Sequence, residues 1–315
     1  MQGSLNIERM CQLAQVSRAG FYRSLAEQTP VEEEMEVRAA IQRIALEHRR
    51  RYGYRRIAAE LRRQGMRVNR KRVLRIMRED NLLAARSQAF VATTDSAHEL
   101  EVYLNLASRM HLSGINQLWV ADITYIRLQR EFVYLAAILD AFSRKVIGWA
   151  LETTLAASLA ITALERAMAA RCPPPGLVHH SDRGVQYASA AYVALLRKHQ
   201  AIPSMSRPAN PYDNASCESF MKTLKQEEIY AHDYRDLEHL HGNIEDFIER
   251  YYNRRRLHSA LGYRPPEEFE QVASSASVAG ATMSFFRHPE IYRSEGKTMH
   301  NGKPTEAGSP DPSSR

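Results

Sequence analysis

The sequence predicts an α/β protein, with a mixed sheet flanked by helices, preceded by an all-helical basic segment. Three observations carry this. First, residues 118–128 (LWVADITYIRL), 132–140 (FVYLAAILD) and 145–151 (KVIGWAL) are strand-like runs separated by short polar breaks, the pattern of a meander. Second, helical and strand-like segments then alternate, and that order puts helices on the faces of a mixed sheet. Third, positive charge is confined to the helical N-terminal third. Residues 1–90 carry 19 Lys/Arg against 10 Asp/Glu, a net +9, while the remaining 225 carry 24 against 26, a net −2.

The elements follow in order. Residues 6–25 read as a small helix-turn-helix, IERMCQLA and then RAGFYRSL, with a turn at Val16–Ser17 and Ser17 as the second helix's cap. Residues 34–47 form an amphipathic helix with Val37, Ile41, Ile44 and Ala45 on one side. Helix 54–63 buries Ile57, Ala58 and Leu61. QGMRV turns, and Asn69 caps a helix over 70–80 with Val73, Leu74 and Met77 as its apolar face. Residues 38–86 hold 16 Arg/Lys against 4 acids. Charge this concentrated opposes compaction, which favours a phosphate-backbone partner over a merely solvated face. The Ala-rich helix 156–171 ends at CPPPG. Strand 177–180, helix 189–199, strand 201–205, loop 207–213, helix 214–228 and a longer helix over 236–252 complete the alternation. The resulting division is a small helix-turn-helix at 1–33, a basic helix-turn-helix segment at 34–86, a linker at 87–115, a mixed α/β core at 116–270 and a Ser/Gly/Pro-rich tail at 271–315 expected to be disordered.

Composition excludes several classes. No apolar run approaches the ~20 residues of a membrane helix. The N-terminus lacks an apolar core followed by a cleavage site. Cys11, Cys172 and Cys217 have no paired spacing for zinc or a disulfide framework, so a reducing, cytoplasmic location is expected.

Three acids stand where a solvated acid is out of place. Asp122 interrupts the apolar strand WVADITYI, Asp182 ends the strand LVHHSD, and Glu218 opens helix 214–228 on one face with Lys222 and Lys225. Carboxylates that converge can hold a pair of hard divalent cations for phosphoryl transfer. Singly, each has a structural explanation: an edge-strand acid, a turn or cap residue, and an acid favoured by the helix dipole.

The runs DITYI, HHSDRGVQY, SMSRPANPYDNASCESFMKTLKQE and FIERYYNRRRLHSALGYRPPEEF together resemble the catalytic domain of bacterial insertion-sequence transposases of the IS-three family, relatives of the retroviral integrases. Asp182 and Glu218 are separated by 35 residues, matching the D,D(35)E signature of that superfamily, and Lys225 matches a basic position that contacts DNA. Residues 52–80 match the family's helix-turn-helix segment. The resemblance spans about residues 35–270.

The resemblance implies an RNase H-like fold, two Mg²⁺ or Mn²⁺ ions per site on Asp122, Asp182 and Glu218, and double-stranded DNA as substrate. That DNA comprises the element's terminal inverted repeats and a target. Hydrolysis at the element's end is followed by attack of the freed 3′-hydroxyl on another strand. His179 and His180 are expected to support the ligands. Arg183, Tyr212, Asn214, Lys222 and Lys225, with Arg55, Arg70, Lys71 and Arg75 upstream, are expected to contact DNA. Asp213–Asn214 is equally a good turn and helix cap. Self-association in a synaptic complex is also implied. Many relatives join an upstream helix-turn-helix frame with a leucine zipper. No sustained heptad is visible here, so an upstream-frame helix-turn-helix protein is a further expected partner. The competing reading is a DNA-binding partial product or inactive copy that regulates transposition without catalysis.

Overall fold

The computed structural model describes residues 6–25, 32–83, 103–128, 131–206 and 214–278. At its centre is a five-stranded mixed sheet in the order β3-β2-β1-β4-β5. Strands β1 (Leu118–Arg127), β2 (Phe132–Asp140) and β3 (Val146–Glu152) form the expected antiparallel meander, while β4 (Val178–Ser181) lies parallel to β1 and β5 (Ile202–Met205) parallel to β4. The fold is α/β with a mixed sheet, as the alternation predicts, and RNase H-like in its strand order, as the resemblance implies.

Upstream lie α1 (Ile7–Leu13), α2 (Arg18–Leu25), α3 (Glu32–Glu47), α4 (Tyr54–Arg63) and α5 (Arg70–Glu79). The caps are where the sequence puts them. Asn69 accepts from the Lys71 amide at 2.8 Å and Ser17 accepts from the Gly20 amide at 3.0 Å. Along α5 the buried face is Val73, Ile76 and Met77, so Leu74, expected in that face, yields its place to Ile76. The i, i+3, i+4 spacing of those three residues explains the choice.

One side of the sheet carries α6 (Ala157–Arg171), α7 (Val185–Ala188) and α8 (Ala190–Lys198); α8 is the helix expected over 189–199, capped by Ser189, and the short α7 precedes it. Close packing of α6 on β3 depends on small residues. Ala160, Ala163 and Ala167 are buried, and Gly148 of β3 leaves them room. A Cβ at Gly148 would lie 2.7 Å from Ala167 Cβ and collide with the Ala163 carbonyl.

The opposite side carries α9 (Ala215–Glu227) and α10 (Leu237–Glu245), which continues as a π-helical stretch over Asp246–Tyr252. The wider turn keeps Phe247, Ile248, Tyr251 and Tyr252 all buried within the one long helix the sequence suggests. Two boundaries move. Part of the stretch expected to be a linker is anchored: the Leu106 amide donates to Ser204 Oγ at 2.9 Å, and Ala107, Met110 and Leu112 pack on the core. The tail expected to be disordered from 271 instead begins as helix, because α11 runs Pro266–Val278. Phe269 is buried, and Glu270 accepts from Ser143 Oγ at 2.6 Å and from Arg171 at 2.5 Å, fixing that helix early in its course. Residues 279–315 lie outside the described residues.

The basic segment does not stand apart. Residues of α3, α4 and α5 share one apolar cluster with α9, α10 and the sheet. Buried ion pairs seal that contact. Arg51 donates to the Glu227 carbonyl at 2.9 Å and to Glu228 at 2.5 Å, and its guanidinium lies 4.4 Å from the Tyr251 ring centroid. Arg256 holds Glu227 through two bonds of 2.7 and 2.9 Å, and Arg56 approaches the same carboxylate at 3.4 Å.

Gly148→Ala is expected to destabilise the protein by about 1–3 kcal/mol, because neither the backbone of α6 nor Ala167 can yield without moving the helix. A lowered urea midpoint with an unchanged slope would bear this out, and an unchanged midpoint would count against the packing described.

Candidate active site

Asp122 sits on β1 on the face it shares with Val120 and Ile126, the face covered by α9. In the parallel β1–β4 pairing Val120 stands opposite His180. Asp122 and Asp182 are each two residues further on, so the register delivers both acids to the same end of neighbouring strands. Here the antiparallel meander gives way to parallel pairing, and the carboxyl ends of strands at such a switch are where α/β sheets bind ligands. Glu218 arrives from the other layer. Asn214 Nδ2 donates to the Ala121 carbonyl at 2.9 Å, pinning the start of α9 beside Asp122. Cys217 is buried, with Sγ 3.9 Å from the carbonyl of Ala137, the β2 residue opposite Asp122.

The electrostatics register this convergence. Burial, then the Asp182 carboxylate, push the Asp122 carboxyl up to about 8; Glu218 adds to the rise, while the Ile123 amide and Lys225 oppose it. Partial burial also raises Glu218 above the ordinary carboxylate range. The Cys217 thiol is raised by burial and by all three acids. Among the described residues no three His, Cys, Asp or Glu side chains already form a closed metal-holding group. The three acids are close enough to feel one another without being drawn together. The donors present are carboxylate oxygens, with a buried Asn214 Oδ1 that has no hydrogen-bond partner among the described residues. An all-oxygen set of this kind suits a hard divalent cation.

Comparison with known proteins identifies the family. The family described as Integrase core domain matches residues 113–211 and again 199–266, and an HTH-like domain matches residues 32–90. The transposase InsF for insertion sequence IS3A of Escherichia coli (strain K12) is 37% identical over 274 residues, covering 85% of this chain and 95% of that protein. The chain belongs to the IS3 family of insertion-sequence transposases. A 31 kDa protein of insertion element IS600 from Shigella sonnei is 36% identical over 266 residues, covering 83% of this chain and 97% of that one. The simian T-cell lymphotropic virus intasome, solved with a PP2A regulatory subunit, aligns at 14% identity and a TM-score of 0.43, covering 84% of this chain and 80% of that one. That likeness is too loose to carry an argument.

The other residues singled out from this family member's sequence fall into three groups. Lys222 is exposed on α9, free to reach outward. Lys225, expected to extend toward a phosphate backbone, is instead buried, its Nζ 4.7 Å from the centroid of the Tyr125 ring. It neighbours Met221 and Leu224 on the stripe that packs against the sheet, and there burial lowers its proton affinity while Asp122 raises it. Arg183 is half-buried, and its Nε donates to the Ser206 carbonyl at 2.8 Å. Tyr212 and Asp213 lie outside the described residues. His179 and His180 are both buried. His180 bonds Ser204 Oγ at 2.9 Å and Ser206 Oγ at 3.0 Å, and His179 Nε2 meets the Tyr192 hydroxyl at 3.0 Å. Neither ring can contact DNA in this fold; both hold in place the strand that leads to Asp182.

The upstream cations divide similarly. Arg75 pairs with Glu34 and Glu79, each at 3.0 Å, and Arg38 bonds Asp80 and Glu79. With Arg51 and Arg56 turned inward, part of the basic density serves the fold. Arg55 is exposed and leans on the Tyr54 hydroxyl at 3.2 Å. Arg62, Arg67, Arg70, Lys71 and Arg78 are exposed with no ion-pair partner among the described residues. Sequence reading missed Tyr187, which was quoted inside HHSDRGVQY but not singled out. It is buried, and its phenol is raised by burial and by Tyr192, Asp182 and Asp122. A large aromatic five positions after a strand-ending acid is the signal that was available.

Three buried histidines make stability depend on pH. Burial holds His48 down at about 4, His179 at about 3 and His258 at about 2, against an ordinary 6.5. The unfolded chain takes up these protons near pH 6.5 and the folded chain does not. Their contribution is therefore complete above pH 6.5 and is lost as pH falls toward the folded values. Between pH 7.5 and 5.5 the three histidines together should take roughly 4 kcal/mol from the stability, while the raised Asp122 carboxyl opposes them by taking up a proton only in the folded chain. Urea unfolding of Asp122→Asn removes that opposition, and a stability flat across the window in that variant would contradict the burial described.

Proposed function

We propose that this chain is a metal-dependent DNA transposase, a polynucleotidyl transferase that cuts insertion-sequence ends and joins them to a target strand. The observation that carries the reading is the delivery of Asp122 and Asp182 by strand register, and of Glu218 by a pinned helix, to one end of the sheet. Asp122, Asp182 and Glu218 would hold two Mg²⁺ or Mn²⁺ ions. Bound there, the ions would supply positive charge to the attacking and leaving oxygens of an in-line displacement and ease deprotonation of the nucleophile.

The chain's own residues account for the rest. The two aspartates come from paired strands and are rigidly placed, while Glu218 is exposed at the first turn of α9, where it can meet a phosphodiester from outside. Lys225 adds a buried positive charge behind the acids. Lys222 is placed to meet a phosphate backbone running along α9. Arg70 and Lys71, in the first turn of α5, bring two exposed cations to the positive end of a helix that Asn69 caps, a setting that favours a phosphate. The same carboxylate cluster would serve both hydrolysis at the element's end and attack by the freed 3′-hydroxyl, with no covalent protein–DNA intermediate. Inverted repeats, target DNA, pairing of two ends by more than one copy, and an upstream-frame protein are the partners this reading calls for.

The test is purified protein with its own element-end duplex and Mg²⁺ or Mn²⁺. Strand cutting and joining are expected, and Asp182→Asn should abolish both while leaving duplex binding intact. Arg70→Ala with Lys71→Ala should weaken duplex binding and flatten its salt dependence, by a slope of about 2 for two lost contacts. Arg75→Ala, whose guanidinium is held by Glu34 and Glu79, should change binding less. Duplex binding without metal-dependent cutting, even with the upstream-frame protein added, would favour a regulatory DNA-binding product.

A further inference from the structure

Tyr187 is 3% exposed, and its hydroxyl is buried with no hydrogen-bond partner among the described residues. A buried hydroxyl left unpaired is uncommon in a well-packed fold and asks for a reason. Its surroundings are specific. Asp182 folds back over the first turn of α7, accepting from the Gly184 amide at 2.9 Å through Oδ1. The Tyr187 amide in turn donates to the Gly184 carbonyl at 3.0 Å. A Cβ built on Gly184 would lie 3.0 Å from Asp182 Oδ1 and 3.7 Å from Tyr187 Cδ2, so the carboxylate and the phenol ring flank the same glycine.

The ring has little freedom. It meets Tyr192 edge to face, centroids 5.3 Å apart at 78°, and the Tyr192 hydroxyl is already engaged by His179. Burial and the neighbouring negative charges keep the phenol protonated, so it can act as a donor throughout the ordinary pH range.

We propose that Tyr187 is a positioning residue, its hydroxyl held in reserve to donate to the Asp182 carboxylate when that group turns to bind a divalent cation. The inference rests on the metal-binding reading of Asp182 given above. A neutral donor suits this task. It orients one carboxylate oxygen and leaves the other for the cation, without placing a competing positive charge beside it. Groups that orient metal ligands in this way typically change metal affinity by 10–100-fold when removed.

The experiment uses the full chain and Mn²⁺ alone as probe, followed by calorimetry. Tyr187→Phe keeps the ring and its packing, so thermal melting without metal should be unchanged or slightly higher. Mn²⁺ affinity should fall by at least tenfold. Strand cutting should need correspondingly more Mg²⁺ for half-saturation and recover its full rate at saturation. Unchanged Mn²⁺ affinity in a normally melting variant would overturn the proposal. If Tyr187→Phe fails to fold, 3-fluorotyrosine placed at position 187 keeps the hydroxyl and reports directly. Its fluorine signal should shift on adding Mg²⁺ to the chain but not to Asp182→Asn, and an unmoved signal would overturn the proposal. If the unmodified chain binds no Mn²⁺ at all, the metal-binding reading itself has failed, an outcome distinct from failure of the Tyr187 role.

Discussion

Glu227 and Glu228, at the C-terminal end of α9, gather guanidinium groups from the two ends of the described fold. Arg51 and Arg56 come from upstream of the sheet and Arg256 from beyond α10. Charges buried this deeply are tolerated only when paired and hydrogen-bonded, and losing one partner of such a pair is strongly destabilising. The pairing therefore commits the helical basic segment, the sheet and the C-terminal helices to one arrangement. It also fixes the axis of α9, whose other end carries Glu218 and is pinned to β1 by Asn214. A helix held at both ends fixes the backbone from which the exposed Glu218 projects. The segment that carries the exposed cations Arg70 and Lys71 grips the helix that carries a catalytic candidate.

At the sheet the constraint is the opposite one, like charges brought close. Asp122 on β1 and Asp182 just past the end of β4 each lie two residues beyond the paired Val120 and His180, and the cost appears as the raised proton affinity of Asp122. A fold does not gather acids in a half-buried setting for stability's sake, because desolvation and repulsion both oppose it. Such an arrangement is typical of a functional site. The buried Lys225, whose proton affinity Asp122 raises, moderates the repulsion.

Much of this was legible in the residues. The three strands of the meander, the helix–strand alternation and the caps at Ser17 and Asn69 are local patterns, and local chemistry decides them. The acids were legible in order and spacing, while their meeting was not, since it depends on the β1–β4 register. The uses of the arginines were hidden for a related reason. A guanidinium that faces a carboxylate some 170 positions away looks, in sequence, like one that faces a phosphate, and Arg51 and Arg56 are of the first kind. Lys225 could have been placed better. Reading Glu218, Lys222 and Lys225 as one polar face overlooked that Met221, Leu224 and Lys225 share the stripe that packs on the sheet. His179 and His180 look like ligand support in sequence, and their serine and tyrosine partners emerge only once β4, β5 and α8 are assembled.

The central claim is that the acid cluster is a cation site that carries strand cutting, and replacing one oxygen ligand by sulfur tests it most directly. Thiolate is a poor ligand for Mg²⁺ and a better one for softer cations. Asp122→Cys is therefore predicted to lose strand cutting in Mg²⁺ and to regain a measurable part of it in Mn²⁺. Full Mg²⁺-supported cutting by that variant would contradict the account, because it would mean that Asp122 binds no catalytic cation.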